Sequence, residues 1–290
     1  AMVPVRATQH YSMGGIRTDA AGRARGLAGL FACGEAACWD LHGFNRLGGN
    51  SVAETVVAGM LVGETMADFV ESSAGELQVS TTLVREFLER EQAKIDTLLH
   101  GNGKENASEL MRRMQDIMTE KVGIFRRGDL LQEAVDELQA LLLRSRKIGI
   151  DTKRAGANPE LVTAYRLQKM LKLALCVAYG ALQRTESRGA HFREDHPRRD
   201  DAGWLKRTLA TWHDDFQTLP TLAYESLDVT RMELPPGWRG YGAKNAIEHP
   251  ATEARVAEVA TIRSAFERAD RYTVQQALMP FDHLVPEAFR

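Results

Sequence analysis

The chain has 290 residues, 44% of them hydrophobic and 26% charged, with a formal net charge of −2. That length supports one large or two small domains with substantial cores. The balanced charge, with no dense Lys/Arg run, points away from a nucleic-acid partner and from a polybasic membrane anchor. No apolar stretch of about 18 or more residues occurs, so no direct membrane span is expected. The start lacks the basic-then-apolar pattern of a signal peptide, and Ala1 ahead of Met2 reads as a tag remnant. Cys33, Cys38 and Cys176 are too few for a disulfide framework and fit a reducing compartment. Cys33 and Cys38, with no second pair, read as buried thiols rather than metal ligands.

The first fifty residues are dense in glycine, which suggests backbone running close to a ligand or to another backbone. Within them Gly29-Leu30-Phe31-Ala32-Cys33-Gly34 reads as a short buried strand. Asn50-Ser51 reads as a helix start. Val52, Val56, Met60, Val62, Met66, Phe69 and Val70 then predict a largely buried helix ending near Ser72–Gly75.

From Ser80 to about Ser187 the spacing is helical. Leu83, Val84, Phe87, Leu88, Ile95 and Leu98 predict one helix, broken at Gly101-Asn102-Gly103. Asn106 with Glu109 resembles a capping box opening a second. Leu130 to Ile148 gives a third, and Asn158-Pro159 caps a fourth that runs through Leu171, Leu173 and Ala181. Met111, Met114, Met118 and Met170 read as core. Short polar breaks between these helices predict an antiparallel bundle. Ser187 to Asp201 is charged and irregular, Thr208–Asp214 and Leu222–Met232 are weakly strand-like, and Pro235-Pro236-Gly237 ends that region. A last amphipathic helix is expected over Glu253 to Ala269, followed by an extended tail from Met279.

Two segments stand out chemically. One is His10-Tyr11-Ser12-Met13-Gly14-Gly15. The other is Gly34-Glu35 followed by His42-Gly43-Phe44-Asn45-Arg46-Leu47-Gly48-Gly49-Asn50-Ser51. A His, an Arg and glycine turns before a helix N-terminus suit an anionic ligand. The guanidinium offers a fork to a carboxylate, and the helix start offers free N–H groups. Both segments resemble the signature of the succinate dehydrogenase/fumarate reductase flavoprotein family. A third, Glu186-Ser187-Arg188-Gly189-Ala190-His191 through Arg193-Glu194-Asp195 to Asp200-Asp201, is similar to the same family's helical region. Ser12 stands where Thr is common and Phe44 where Ala is common. Phe44 with Val52-Ala53-Glu54-Thr55, and Leu234-Pro235-Pro236-Gly237-Trp238, resemble the subgroup of fumarate reductases that oxidise menaquinol-type quinols.

The resemblance implies a mainly α fold: an antiparallel helical bundle preceded by a remnant of an α/β FAD-binding domain and followed by a small mixed region. The corresponding boundaries are residues 1–75, 76–203 and 204–290. It implies that the parent protein interconverts fumarate and succinate with FAD as cofactor. His10 and Arg46 match positions that bind the dicarboxylate, and Arg46 would also polarise the double bond. Glu35 matches a carboxylate that binds FAD. Ser51 and Val52 match contacts to the flavin ring at a helix start, whose positive end would favour reduced anionic flavin. Tyr11 and Asn50 are expected cofactor neighbours, and His42 is read as structural. The charged loop from Ser187 to Asp201 is expected to be salt-bridged and structural. Implied partners are an iron–sulfur subunit and a membrane anchor subunit, with a cytoplasmic location peripheral to the inner membrane through them. No Gly-x-Gly-x-x-Gly occurs in the chain. By the resemblance, the flavin-attaching His, the proton donor and further substrate contacts lie outside these residues, so the chain alone is expected to be inactive and to retain no FAD. Two other readings stay open: an L-aspartate oxidase-like flavoenzyme, and a non-catalytic docking module for an iron–sulfur subunit.

Overall fold

The computed structural model of the chain describes residues 10–73, 80–154, 156–227 and 252–267. The segment from Leu234 to Gly242, the end of the second strand-like stretch, Ala269 and the tail from Met279 lie outside the described residues. The chain divides into two compact units.

The first unit holds residues 1–185, 189–195 and 212–221. It opens with a minimal parallel pair, β1 (Ile16–Arg17) against β2 (Ala37–Cys38), joined through a 3-10 turn at Gly34–Ala36. Gly15 explains part of the glycine density: a Cβ there would lie 2.3 Å from the Ala36 carbonyl oxygen, so one backbone is passing another. The predicted strand at Gly29–Gly34 does not form. Only Phe31 makes a bridge, to Arg23, and Leu30 is exposed. A short apolar run alone does not tell a strand from a loop that packs its side chains on a helix. Here the loop packs on α1 (Asn50–Ser72), with the Phe31 and Phe69 rings 5.5 Å apart.

α1 itself departs from expectation. It is the predicted helix, but only Glu54, Ala58 and Val62 are buried. Those three fall on one i, i+4, i+8 stripe facing the β1–β2 segment. Val52, Val56, Met60 and Val70 are exposed among the described residues. Its N-cap is Gly49 in the left-handed region, one residue before the expected start, with no side-chain cap.

The bundle consists of α2 (Thr81–His100), α3 (Ala107–Lys121), α4 (Gly128–Ser145) and α5 (Pro159–Gln183). The predicted caps hold: Asn106 Oδ1 accepts from Glu109 N at 3.0 Å, and Asn158 Oδ1 from Leu161 N at 3.1 Å. Leu131, Leu138 and Leu142 of α4 meet Leu167, Leu171 and Leu175 of α5, all fully buried. Each such leucine contributes about 2 kcal/mol of transfer free energy. Met114 is buried in the same core, with Met111, Met118 and Met170 packed against it. α2 lies against α5 but buries no residue completely.

The ends of α4 and α5 are tied by β4 (Phe192–Arg193), which pairs in parallel with β3 (Phe125–Arg126). Arg193 Nη1 donates to the carbonyls of Ala181, Leu182 and Arg184 at 3.0, 3.0 and 3.2 Å, satisfying the C-terminal end of α5. Its Nε and Nη2 both donate to Asp195 at 2.7 Å, and Asp195 Oδ2 accepts the Gly128 N–H at 2.9 Å, at the start of α4. The Arg193 fork holds the Asp195 carboxyl well below the usual carboxylate range, against burial and with help from the Gly128 N–H. His191 sits beside this fork. Arg126 Nη1 donates to its Nδ1 at 2.7 Å, so Nε2 carries the proton that faces the Arg184 carbonyl at 3.3 Å. Burial, then the Arg126 charge, push the imidazole down to about 3, against the Arg184 carbonyl bond.

The second unit holds residues 186–188, 196–211 and 222–290. In it Arg188 pairs with buried Glu186 at 2.8 Å and with Asp201 at 2.7 Å, and Arg199 also reaches Asp201. Asp200 caps α6 (Asp201–Trp204). The two strand-like stretches appear as neighbours β5 (Lys206–Thr211) and β6 (Thr221–Ser226), and the last helix as α7 (Thr252–Glu267).

Two outcomes follow from the clamp between helix ends. A Cβ at Gly128 would lie 2.8 Å from Asp195 Oδ2 and 3.0 Å from Arg193 Nη2. Gly128→Ala should therefore lower stability by about 1–3 kcal/mol in urea unfolding, despite the better helix propensity of Ala. His191 stays neutral when folded but protonates in the unfolded chain near its usual pKa of about 6.5. Its contribution is thus complete above that pH and is lost as pH falls towards about 3. Unfolding free energy should drop by about 1 kcal/mol for each pH unit in that window, and His191→Gln should flatten this part of the profile.

Candidate functional site

The chemistry-bearing segments of the first unit gather around the start of α1. Glu54 lies in the first turns of that helix with its side chain only 3% exposed. It accepts from Tyr11 Oη at 2.5 Å, from Trp39 Nε1 at 3.1 Å and from His42 Nε2 at 3.2 Å. Burial pushes the Glu54 carboxyl up, but these three donors outweigh it and hold it below its usual range. Burial first, then the bond to Glu54 and the nearby negative charge, push the Tyr11 phenol up to about 12, with Arg46 opposing. Both oxygens of Glu54 are therefore committed, and Tyr11 stays protonated at neutral pH.

Tyr11 has φ of 82°, a left-handed backbone conformation that a bulky residue rarely adopts. The ring so presented stands edge-on to His42, with centroids 5.4 Å apart, and lies beneath Arg46, whose Cζ is 4.9 Å from its centre. Arg46 Nη1 donates to the Leu47 carbonyl at 2.9 Å, while its buried Nε has no partner. The loop carrying Arg46 is fixed at its middle too. The Phe44 carbonyl accepts from Ala190 N at 2.9 Å, and the Arg184 guanidinium lies 4.9 Å from the Phe44 ring centre.

The predicted residues fall into place unevenly. Tyr11 and Arg46 are in direct contact. His10 precedes Tyr11 and is exposed. Glu35 joins the same surface, because its Oε1 accepts the Ser12 N–H at 2.6 Å; its other oxygen makes no hydrogen bond among the described residues. Asn50, Ser51 and Val52 form the first turn of α1, and Val52 is 71% exposed. His42 is partnered by Glu54, in keeping with its structural reading. The sequence reading did not single out Glu54. The signal was a carboxylate at position i of the stripe that continues to Ala58 and Val62, a place where an ionised group needs partners.

These residues fit an anionic, polar ligand such as the expected flavin with a dicarboxylate. The first turn of α1 has no side-chain cap; the Asn50 N–H donates to the Leu47 carbonyl at 3.2 Å, and those of Ser51 and Val52 are left for a ligand. Glu35 keeps one carboxylate oxygen for a hydroxyl donor. The orphaned Arg46 Nε carries a buried proton in need of an acceptor. No group of three or more His, Cys, Asp or Glu residues able to hold a metal ion occurs among the described residues.

Comparisons with known proteins bear on the family of the chain. The family model described as fumarate reductase flavoprotein C-term matches residues 111–241, and one described as FAD binding domain matches residues 2–52. A fumarate reductase flavoprotein subunit from Helicobacter pylori is 52% identical over 283 residues, covering 97% of this chain and 39% of its own length. One from Mycobacterium tuberculosis is 40% identical over 250 residues, covering 83% of this chain and 41% of its own length. Among solved structures, an E. coli quinol fumarate reductase flavoprotein superposes with a TM-score of 0.75 at 36% identity, over 84% of this chain and 40% of that one. The chain thus spans about two-fifths of the length of the relatives it matches, the 39% and 41% above. It belongs to the fumarate reductase/succinate dehydrogenase flavoprotein family, a family of FAD proteins, and matches the C-terminal part of those subunits.

Proposed function

We propose that this chain is part of an FAD-dependent enzyme that interconverts fumarate and succinate, and that His10 and Arg46 bind the two ends of the dicarboxylate. The observation that carries this reading is Arg46. Its guanidinium rests on the Tyr11 ring with a buried Nε that lacks an acceptor. A carboxylate would supply that acceptor and bring its own negative charge. Pairing with Arg46 also draws electron density from the adjacent double bond, so the same contact strengthens as charge develops during reduction. FAD, when bound, supplies the two reducing equivalents as a hydride. Glu35 would hold a flavin hydroxyl through its remaining oxygen. Ser51 and Val52 would present the first-turn N–H groups of α1 to the ring, with Tyr11 and Asn50 beside it.

The same reading includes partners. Electrons would pass through an iron–sulfur subunit and a membrane anchor subunit to or from quinone, placing the protein on the cytoplasmic face of the inner membrane. Related solved structures are described as quinol fumarate reductases, one of them with menaquinol molecules, which supports the menaquinol-oxidising subgroup and the direction towards succinate. No helix among the described residues is long and apolar enough to cross a membrane. The fumarate reductase names of the relatives favour this over an L-aspartate oxidase.

In the FAD-loaded enzyme carrying this chain, assayed with a reduced viologen, Arg46→Ala should lower kcat/KM for fumarate at least about 100-fold. His10→Ala should raise KM by about tenfold, the effect of one lost carboxylate hydrogen bond. Wild-type turnover of aspartate in place of fumarate would overturn the assignment. The 290 residues assayed by themselves are expected to show neither turnover nor a stoichiometric flavin spectrum.

A further inference from the structure

Glu54 touches neither of the residues assigned to the dicarboxylate, yet everything it touches leads to one of them. Tyr11 directly follows His10, and its ring is the platform under Arg46. His42 and Trp39 belong to the segment that runs from β2 into the Arg46 loop. The three donors converge on one buried carboxylate from two stretches far apart in sequence: Tyr11 is 43 residues away, Trp39 15 and His42 12. Glu54 itself stands on α1, the helix whose uncapped start carries Asn50, Ser51 and Val52. One anion therefore fixes the His10 segment, the Arg46 loop and the helix start against each other.

From this geometry we infer that Glu54 is a positioning residue for dicarboxylate binding, setting the separation of His10 and Arg46 through Tyr11 and His42. The inference rests on the assignment of those two residues to the substrate. A neutral carboxylate or an apolar replacement would not be equivalent. Three donors, two of them neutral N–H or O–H groups and one an imidazole, match two acceptor oxygens with full negative charge. Tyr11 also needs an external hold, because its backbone at φ 82° is unfavourable for a residue with a Cβ. With Glu54 ionised, the phenol is held at its oxygen and the ring stays under the guanidinium. Without that charge, the ring, the imidazole and the indole lose their common acceptor, and the two carboxylate-binding groups lose their fixed spacing.

The test uses the FAD-loaded enzyme carrying this chain, with fumarate as substrate and malonate as a dicarboxylate that binds without turning over. Glu54→Gln keeps the shape and removes the charge. It should raise KM for fumarate and Kd for malonate together by about ten- to hundred-fold, with a smaller change in kcat and with flavin content unchanged. Tyr11→Phe removes only the hydrogen bond and keeps the ring, and should give a smaller rise in the same two constants. In the double variant the effects should be clearly less than multiplicative, since both substitutions remove one shared contact. Glu64→Gln, an exposed carboxylate on the same helix, is the control. Unchanged KM and Kd in Glu54→Gln, or effects that multiply independently in the double variant, would overturn the positioning role. If Glu54→Gln fails to fold, the Tyr11→Phe result decides alone: unchanged KM and Kd there sink the proposal. Absence of fumarate turnover and malonate binding in the wild-type enzyme would instead refute the assignment of the site itself.

Discussion

The fork of Arg193 is the contact on which the first unit depends. It satisfies three carbonyls at the end of α5 and grips Asp195, which in turn holds the first N–H of α4. Helix ends are where backbone groups lack partners, and a guanidinium with five donors in one plane is suited to closing one such end. The carboxylate closes the other, where the helix macrodipole favours negative charge. Removing Asp195 would leave the buried Arg193 guanidinium without its carboxylate, whereas Asp195 is partly exposed and would stay solvated without Arg193.

This clamp also reaches the candidate site. The residues just before Arg193 run past the Arg46 loop, where Ala190 donates to the Phe44 carbonyl and Arg184 lies over the Phe44 ring. The loop is thus held from the bundle side at Phe44 and from the α1 side at His42. A loop tied at both flanks loses little further entropy on binding a ligand. Under the proposed assignment, Arg46 on such a loop would be pre-organised, the property that an electrostatic contact to a reacting double bond requires.

Much of the fold was legible before the structure. Asn106 and Asn158 cap the helices they were expected to cap, because the side-chain amide and the helical N–H three residues on are local partners. The helix expected from Leu130 to Ile148 is present as α4, although which of its residues are buried, Leu131, Leu138 and Leu142 among them, came from the structure. The strand expected at Gly29–Gly34 and the burial expected for α1 were not legible in the same way. Hydrophobic spacing says which residues can be buried together; it does not say what covers them. Gly29–Gly34 spends its apolar side chains on α1 instead of on a sheet, and α1 uses one narrow stripe and leaves Val52, Val56 and Met60 uncovered among the described residues.

At the site the division is sharper. Sequence alone determined the chemical inventory: a His and an Arg in glycine-punctuated segments, a helix start beside them, and the motifs that place the chain in a flavoprotein family. Those signals are local, because turn chemistry, capping and motif spacing act over a few residues. Only the tertiary structure decided that Tyr11 carries Arg46 on its ring and that Glu54 gathers Tyr11, Trp39 and His42. A buried carboxylate is stable only where the folded chain brings donors to it, and donors up to 43 residues away leave no trace in the spacing around Glu54 itself.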